Sequence, residues 1–307
     1  MRLYGGIEMF INYDYYRIFY YVAKYGSFTQ AANVLMENQS NITRIITNLE
    51  TELGCELFVR TNKGATLTPE GERLLVHVNA AAKELQLGEE EISAGKGLES
   101  GTITVSVSET ALHGLLLKVL HKFTTAYPGI KIRILNFSTP QAISSLHSGI
   151  ADLAIVTSPT GSAKPLQETR IKTFSELLVC GPEYSDMKYK RLRFEDLQSY
   201  QFICLGRDTK TFEFYNKLFS KEDLVLSPDM EAATTDQLLM MVKNNLGLGF
   251  LPDIIARPAI EAGEIQEVKF DDPIPKRYIC ILKNTENSLS AAAKEFEKTV
   301  LEERDSK

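Results

Sequence analysis

Three observations predict a multidomain α/β chain. Residues 13–68 read as short helices followed by a hairpin, residues 69–93 as one uninterrupted helix, and the chain from Gly101 onward as strands alternating with helices. Such alternation packs helices on both faces of a mostly parallel sheet. At 307 residues the chain is also longer than one hydrophobic core serves, so two or three domains are expected. An apolar fraction of 44% with 24% charged residues places it among soluble globular proteins rather than disordered ones.

Residues 1–12 form an N-terminal extension without periodic pattern, and Met9 is a candidate initiator. Tyr13–Tyr25 reads as a first helix, with Tyr16, Phe19, Tyr20 and Ala23 at helical spacing, an aromatic face expected to pack in the core. Gly26 stops it, and Thr29 is the expected cap of a short Ala-rich helix ending near Leu35. Glu37-Asn38-Gln39-Ser40 makes a tight turn, with Asn38 capping the third helix. That helix carries Ile42, Ile46, Leu49 and Leu53 on one face and Gln39, Ser40, Asn41, Thr43, Arg44 and Thr47 on the other, and Gly54 closes it. Leu57–Arg60 and Ala65–Leu67 then flank the turn Asn62-Lys63-Gly64. Taken alone, the polar face is an ordinary solvated surface. With the cap and turn before it and the hairpin behind, the region is a winged helix-turn-helix, residues 13–68, whose polar helix fits the major groove of double-stranded DNA.

At these residues the chain resembles the LysR-type transcriptional regulators. The resemblance rests on GSFTQAA, on LETELGCELFVR, and on Lys63-Gly64 followed by Leu67-Thr68-Pro69-Glu70-Gly71. One departure stands out. The family usually has small residues and a Ser-Arg-Gln-Ile run in the recognition helix, where this chain has Asn38-Gln39-Ser40-Asn41-Ile42-Thr43-Arg44-Ile45-Ile46. The base preference is therefore expected to be its own. Gln39 or Asn41 is placed to hold adenine through a bidentate pair, Ile45 to touch a thymine methyl, and Arg44 to meet a phosphate or guanine. Thr29, Ser40, Thr43, Thr47, Arg60 and Lys63 complete the expected DNA-binding set.

The net charge of −6 runs against a DNA binder. Within residues 13–68, Arg17, Lys24, Arg44, Arg60 and Lys63 are matched by Asp14, Glu37, Glu50, Glu52 and Glu56. Nonspecific affinity comes mostly from phosphate neutralisation, so one neutral module binds weakly, and two or four held together recover affinity through effective concentration. Self-association is thus expected. Thr68-Pro69-Glu70 starts the long helix, residues 69–93, by cap, first-turn proline and acid. Leu75, Val78, Ala82, Leu85 and Ile92 give it an apolar seam suited to pairing with a second chain, the alternative being packing on its own domain. Gly88 is a weak spot in the helix, and residues 94–100 read as a hinge. The resemblance implies a dimer through this helix and a tetramer through the C-terminal domains.

The C-terminal half is expected to form two α/β lobes. Thr102–Ser108, Ile130–Leu135 and Ala151–Val156 read as strands, and Ala111–Phe123 and Pro140–Ser148 as helices. Leu177–Cys180 opens the second lobe, which continues through Phe202–Leu205, a helix near Phe212–Phe219, and Leu246–Pro252. Tyr278–Leu282 and the helix Leu289–Leu301 return to the first. Lobe one is thus residues 101–166 with 273–301, and lobe two residues 167–272. Two such lobes joined by crossing strands enclose a cleft, as in periplasmic binding proteins. Tyr127-Pro128-Gly129-Ile130 and Asp152-Leu153-Ala154-Ile155-Val156 also resemble the family's effector-binding domain.

Strand-to-helix loops aim helix N-termini at such a cleft and favour an anion. Ser108 and Thr110 lie on the first loop, and Ser138 and Thr139 on the second. Each hydroxyl can equally do no more than cap its own helix. Together they suggest a small-molecule effector with a carboxylate, and the family resemblance implies the same positions. Phe202, Leu205, Arg207, Thr234 and Thr235 are expected to close over it from lobe two. Gly247 and Gly249 lack the surrounding pattern of a phosphate loop.

The histidines His77, His113, His121 and His147 form no ligand pair and sit by no cysteine nucleophile, so neither enzyme activity, metal nor cofactor is expected. Cys55, Cys180, Cys204 and Cys280 are scattered as reduced thiols are, with a redox switch at Cys204 the remote alternative. No apolar run reaches the ~20 residues of a membrane span, and no secretion signal is evident, so a cytoplasmic protein without a membrane partner is expected. A transport-type solute-binding protein accounts for the lobes but not for residues 13–93.

Overall fold

The computed structural model describes residues 12–61, 64–93 and 100–304. The chain divides into two compact units, Met1–Ser93 and Ala94–Lys307. Among the described residues no helix is long and apolar enough to cross a membrane.

The first unit runs α1 (Tyr13–Tyr25), α2 (Phe28–Leu35), α3 (Gln39–Leu53), an antiparallel pair β1 (Phe58–Thr61) and β2 (Gly64–Leu67), and α4 (Pro69–Ser93). This is the expected winged helix-turn-helix followed by a long helix. Gly26 ends α1 in the left-handed conformation, at φ 59. Ser27, not Thr29, caps α2: its backbone is extended and its hydroxyl accepts from the Gln30 N–H, whereas Thr29 is already helical. Asn38 occupies the N-cap of α3 as expected, but its side chain makes no capping bond.

Phe19, Val22, Ala31, Ile42, Ile46 and Leu49 form the core of this unit. Ile45 joins them at 9% exposure, so the expected thymine contact is withdrawn. It sits next to Ile46 on a helix whose apolar face is wide enough to bury both. Leu53, assigned to the same face, is 38% exposed. On α1, Ile18, Phe19 and Val22 are the buried residues, while Tyr16 and Tyr20 are only half-buried.

The hairpin is tied to the helices at both ends. The Ala65 N–H donates to Gly26 O at 2.8 Å. A Cβ on Gly64 would lie 2.4 Å from that same carbonyl, which is why glycine stands there. The Glu50 carboxylate accepts from the Leu57 and Phe58 N–H groups at 2.8 and 3.3 Å. Thr68 caps α4, accepting from the Gly71 N–H at 3.0 Å. Leu74, Leu75 and Val78 pack against the core of this unit, so the first half of the expected seam is used within the chain. Leu85 is 51% exposed, and the side chain of Ile92 lies outside the described residues.

The second unit begins with β3 (Gly101–Val107), α5 (Glu109–Ala111), a π-helical turn at Leu112–Leu116, α6 (Leu117–Ala126), β4 (Ile130–Asn136), α7 (Thr139–His147), β5 (Leu153–Thr157) and β6 (Leu166–Phe174). It continues through β7 (Glu176–Cys180), β8 (Arg191–Leu192), β9 (Phe202–Leu205), α8 (Lys210–Lys221), β10 (Met230–Ala232), α9 (Thr235–Lys243), β11 (Leu248–Pro252) and α10 (Asp253–Glu261). After the short β12 (Gln266–Glu267) and β13 (Lys269–Phe270) come β14 (Arg277–Asn284) and α11 (Ala291–Leu301).

Lobe one is a sheet in the order β4-β3-β5-β14-β6, and lobe two a sheet in the order β10-β9-β11-β7-β12. β3 is parallel to β4 and β5, while β14 runs antiparallel to both β5 and β6. The expected boundary at residue 167 is corrected: β6 pairs along its length with β14 and belongs to lobe one. The chain crosses between lobes at Ser175, between β6 and β7, and returns before β14. The expected single helix after β3 is interrupted by the π turn. Gly114 within it packs so tightly that an added Cβ would lie 2.3 Å from Ile254 Cδ1, and its carbonyl accepts from Lys172 Nζ at 3.2 Å.

Candidate functional site

The carboxyl ends of β3, β5 and β9 open onto one cleft with a cavity volume of about 80 Å³. Ligands of open α/β sheets bind at such strand ends. Ser108, Thr110, Ser138, Thr139, Leu205, Thr234 and Thr235 all line it. Phe202 and Arg207 do not. Phe202 is 4% exposed, packed against Phe219 and Phe250 because it alternates inward on β9. Arg207 points away and pairs with Glu231 at 2.9 Å.

Several of these hydroxyls are engaged in capping. Ser138 donates to Gln141 Oε1 at 3.0 Å, and Thr234 accepts from the Gln237 N–H at 3.2 Å. Thr139 makes only a long bond, 3.5 Å, to Thr157 O. Ser108 is different. Its Oγ is buried without a hydrogen-bond partner among the described residues, although it stands at the N-cap of α5. A buried hydroxyl without a partner costs free energy, and a ligand atom in the cleft would supply the missing bond.

Sequence reasoning missed Glu109, Thr157, Thr209, Lys210 and Thr211, which also line the cleft. Thr209 caps α8, accepting from the Phe212 N–H at 3.1 Å, and Gly206-x-x-Thr209 before an amphipathic run was a readable signal. Thr157 ends β5, the position the strand-end rule singles out. Lys210 brings a positive charge to the rim and pairs with Glu213 at 2.6 Å. With Lys217 it holds the Glu213 carboxyl down at about 2. The helix N-termini at Ser138 and Thr209 add partial positive charge to the cleft. That of α9 already holds the Glu109 carboxylate, which accepts from the Asp236 N–H at 2.8 Å.

On the first unit, the outward face of α3 presents Gln39, Ser40, Arg44 and Thr47, with Asn41 and Thr43 half-buried. Asn41 bridges Glu37 and Arg44, at 3.0 and 2.8 Å. Gln39, Ser40 and Thr43 make no side-chain hydrogen bond among the described residues. Thr29 is exposed on the first turn of α2. Arg60 stacks its guanidinium over Phe28 at 4.4 Å, which fixes the charge beside the hairpin. Lys63 lies outside the described residues.

Two family models match this architecture unit by unit. The "Bacterial regulatory helix-turn-helix protein, lysR family" model covers residues 13–72, and the "LysR substrate binding domain" model covers residues 96–305. The chain belongs to the LysR family. It is a transcriptional regulator with a DNA-binding helix-turn-helix and an effector-binding domain, and the family is one of regulators, not enzymes. A Porphyra purpurea protein described as "Probable RuBisCO transcriptional regulator" is 29% identical over 296 residues, covering 94% of this chain and 92% of that protein. A cysteine-to-aspartate variant of full-length OxyR from Pseudomonas aeruginosa shares the fold at a TM-score of 0.71 and 18% identity, covering 96% of this chain and 95% of that one. Full-length CbnR complexed with its target DNA shares it at a TM-score of 0.67 and 18% identity, covering 95% and 100%.

Beneath the cleft of this LysR protein lies a charged layer that the resemblance did not suggest. Arg277, at the start of β14, and Glu176, at the start of β7, pair at 2.6 Å with side chains 3% and 1% exposed. Both stand where the chain passes between lobes. With Tyr215 they line a cavity of about 10 Å³, just large enough for one water, whose other walls include Thr110, Thr211 and Thr235 from the cleft. Among the described residues, Glu176 Oε2 and the Tyr215 hydroxyl are buried without a hydrogen-bond partner. Burial, reinforced by the Glu176 charge, pushes the Tyr215 phenol well above its ordinary value.

Proposed function

We propose that this regulator binds a small carboxylate effector in the cleft between its lobes and reads its operator through the start of α3. The buried Ser108 Oγ, without a partner among the described residues and lining one hydroxyl-rich cleft with Thr139 and Thr211, carries the effector reading. The helix N-termini and Lys210 favour an acceptor group there, while Glu109 and Glu213 limit the net positive charge. At about 80 Å³ the cleft suits a ligand of few heavy atoms. Ser108, Thr110, Ser138, Thr139, Leu205, Thr234 and Thr235 form the effector set, and Thr29, Gln39, Ser40, Asn41, Thr43, Arg44, Thr47, Arg60 and Lys63 the DNA set. A thermal-shift screen of small carboxylic and amino acids, followed by calorimetry on Ser108→Ala and Thr139→Ala, tests the first. Each lost bond to a charged group should cost about 1.5–3 kcal/mol. Unchanged affinity in both variants places the ligand elsewhere.

The working form is an oligomer in a cytoplasmic setting. A groove between α1 and α4, with a volume of about 440 Å³, is lined by Tyr16, Tyr20, Leu74, Val78, Ala81 and Ala82. It continues the apolar seam of α4 and supports pairing of two chains there, with a second pairing through the effector domains making a tetramer. Sedimentation giving only monomer at micromolar concentration defeats this. Residues 13–93 are what separate this reading from a solute-binding protein, and retention of specific DNA in excess competitor decides between the two.

A further inference from the structure

Thr157 ends β5 in lobe one, Thr211 lies in the first turn of α8 in lobe two, and both line the cleft. Both hydroxyl oxygens accept from the same nitrogen: Arg277 Nη2 donates to Thr157 Oγ1 at 3.1 Å and to Thr211 Oγ1 at 3.0 Å. A guanidinium has no acceptor, so neither hydroxyl can donate back to it. Among the described residues neither hydroxyl donates to any other group. Each therefore keeps its proton for whatever enters the cleft.

The arginine has little freedom to do otherwise. Its Nε donates to Ser158 O at 2.7 Å and its Nη1 to Glu176 Oε1 at 2.6 Å. The guanidinium lies 5.4 Å from the Phe174 ring of lobe one and 5.0 Å from the Phe214 ring of lobe two. The planar fork reaches four partners at once, which a lysine ammonium could not do with this geometry.

We propose that Thr157 and Thr211 form a clamp spanning the two lobes for a pair of acceptor oxygens, and that Arg277 is the positioning residue that holds both hydroxyls as donors. The inference rests on the cleft being the effector site and specifies how that site chooses its ligand. Glu176 balances the charge of Arg277, so the selection comes from donor orientation more than from net charge. A carboxylate offers an acceptor to each threonine. A carboxamide of the same shape offers only one acceptor, so the proton of the other threonine is left without a partner. Binding across both threonines also joins the lobes at the place where the crossing strands begin.

The test uses the full-length protein with labelled threonine methyl groups, titrated with acetate and with acetamide. Acetate should shift the Thr157 and Thr211 methyls with one common Kd, about tenfold or more below that for acetamide. In the paired variant Arg277→Met with Glu176→Leu, which removes cation and anion together, the preference should fall below about threefold. Thr157→Val and Thr211→Val leave the ion pair whole and should each reduce the preference as far. If the paired variant keeps the tenfold preference, Arg277 does not orient the clamp, and the cleft reading survives. If acetate moves the methyls of Thr110, Thr139 and Thr235 but not those of Thr157 and Thr211, the clamp is wrong and the cleft reading again survives. If acetate moves no cleft threonine, both fall.

Discussion

The Glu109 carboxylate of lobe one accepts a hydrogen bond from the backbone N–H of Asp236 in lobe two, at 2.8 Å. The first turn of α9 is thereby supplied with an anion from the opposite lobe. His113 Nε2, four residues beyond Glu109, lies 3.2 Å from the Asp236 carboxylate and makes a second link between the same elements.

Glu109 also lines the cleft, so its charge opposes an anionic ligand while its hydrogen bond holds the lobes together. Glu109→Gln keeps an acceptor oxygen and removes the charge. Acetate affinity, measured by calorimetry, should rise about two- to fivefold, the size of one charge near a helix end. Weaker binding would show that the ionised clasp itself is needed to shape the cleft.

The buried pair Arg277–Glu176 should behave asymmetrically. Arg277→Met alone leaves the Glu176 carboxylate in the interior with one oxygen already unpartnered, and should cost about 3–5 kcal/mol in urea unfolding. Adding Glu176→Leu should restore most of that loss, because two apolar side chains then fill the space of two ions. A double variant no more stable than the single one would mean that the wider network, with Thr157, Thr211 and Ser158, dominates.

How far the sequence could be read depended on whether a feature was local. Gly26, Gly54, Thr68-Pro69-Glu70, the alternation of β3 and the continuous apolar run of β5 act within a few residues, and the elements they mark lie where expected. Cap identity was less legible, since Ser27 and Thr29 carry the same chemistry two residues apart and only backbone conformation separates them. β6 was missed because its burial alternates irregularly, and its lobe follows from pairing with a strand far along the chain. The π turn, where Ile254 and Ile279 lie close to Gly114, has no counterpart in any spacing rule. Half of the cleft was visible as hydroxyls before helices. Arg277, Glu176 and Thr211 were not, because their roles arise only where the crossing strands bring the lobes together.

The cysteines should be inert with one exception. Burial pushes the Cys180 thiol up to about 11 and the Cys204 thiol up to about 12, and raises that of Cys280 as well. The thiolate is the reactive form, so near neutral pH these groups stay protonated. That argues against a redox switch at Cys204. Iodoacetamide on the native protein at pH 8, read by mass spectrometry, should label half-buried Cys55 alone, and all of the cysteines only after unfolding. Native labelling of Cys204 at a rate like that of Cys55 would reopen the redox reading.

Base readout gives the sharpest contrast between two residues of the DNA set. Asn41 is occupied by Glu37 and Arg44, so it must release both before it can hold an adenine edge. Gln39, two residues earlier and exposed, has no such tie among the described residues. Gln39→Ala should therefore cost about 1–3 kcal/mol at one base pair and relax the preference there alone. Lys63→Ala should instead weaken binding to every sequence alike and lower the salt dependence by about one counterion. Both variants can be run on a randomised operator library at fixed salt, alongside Asn41→Ala. Loss of preference in Asn41→Ala but not in Gln39→Ala would mean that DNA breaks the Glu37–Asn41–Arg44 chain on binding. The reading role would then pass to Asn41, with the neighbouring Arg44 freed for a phosphate.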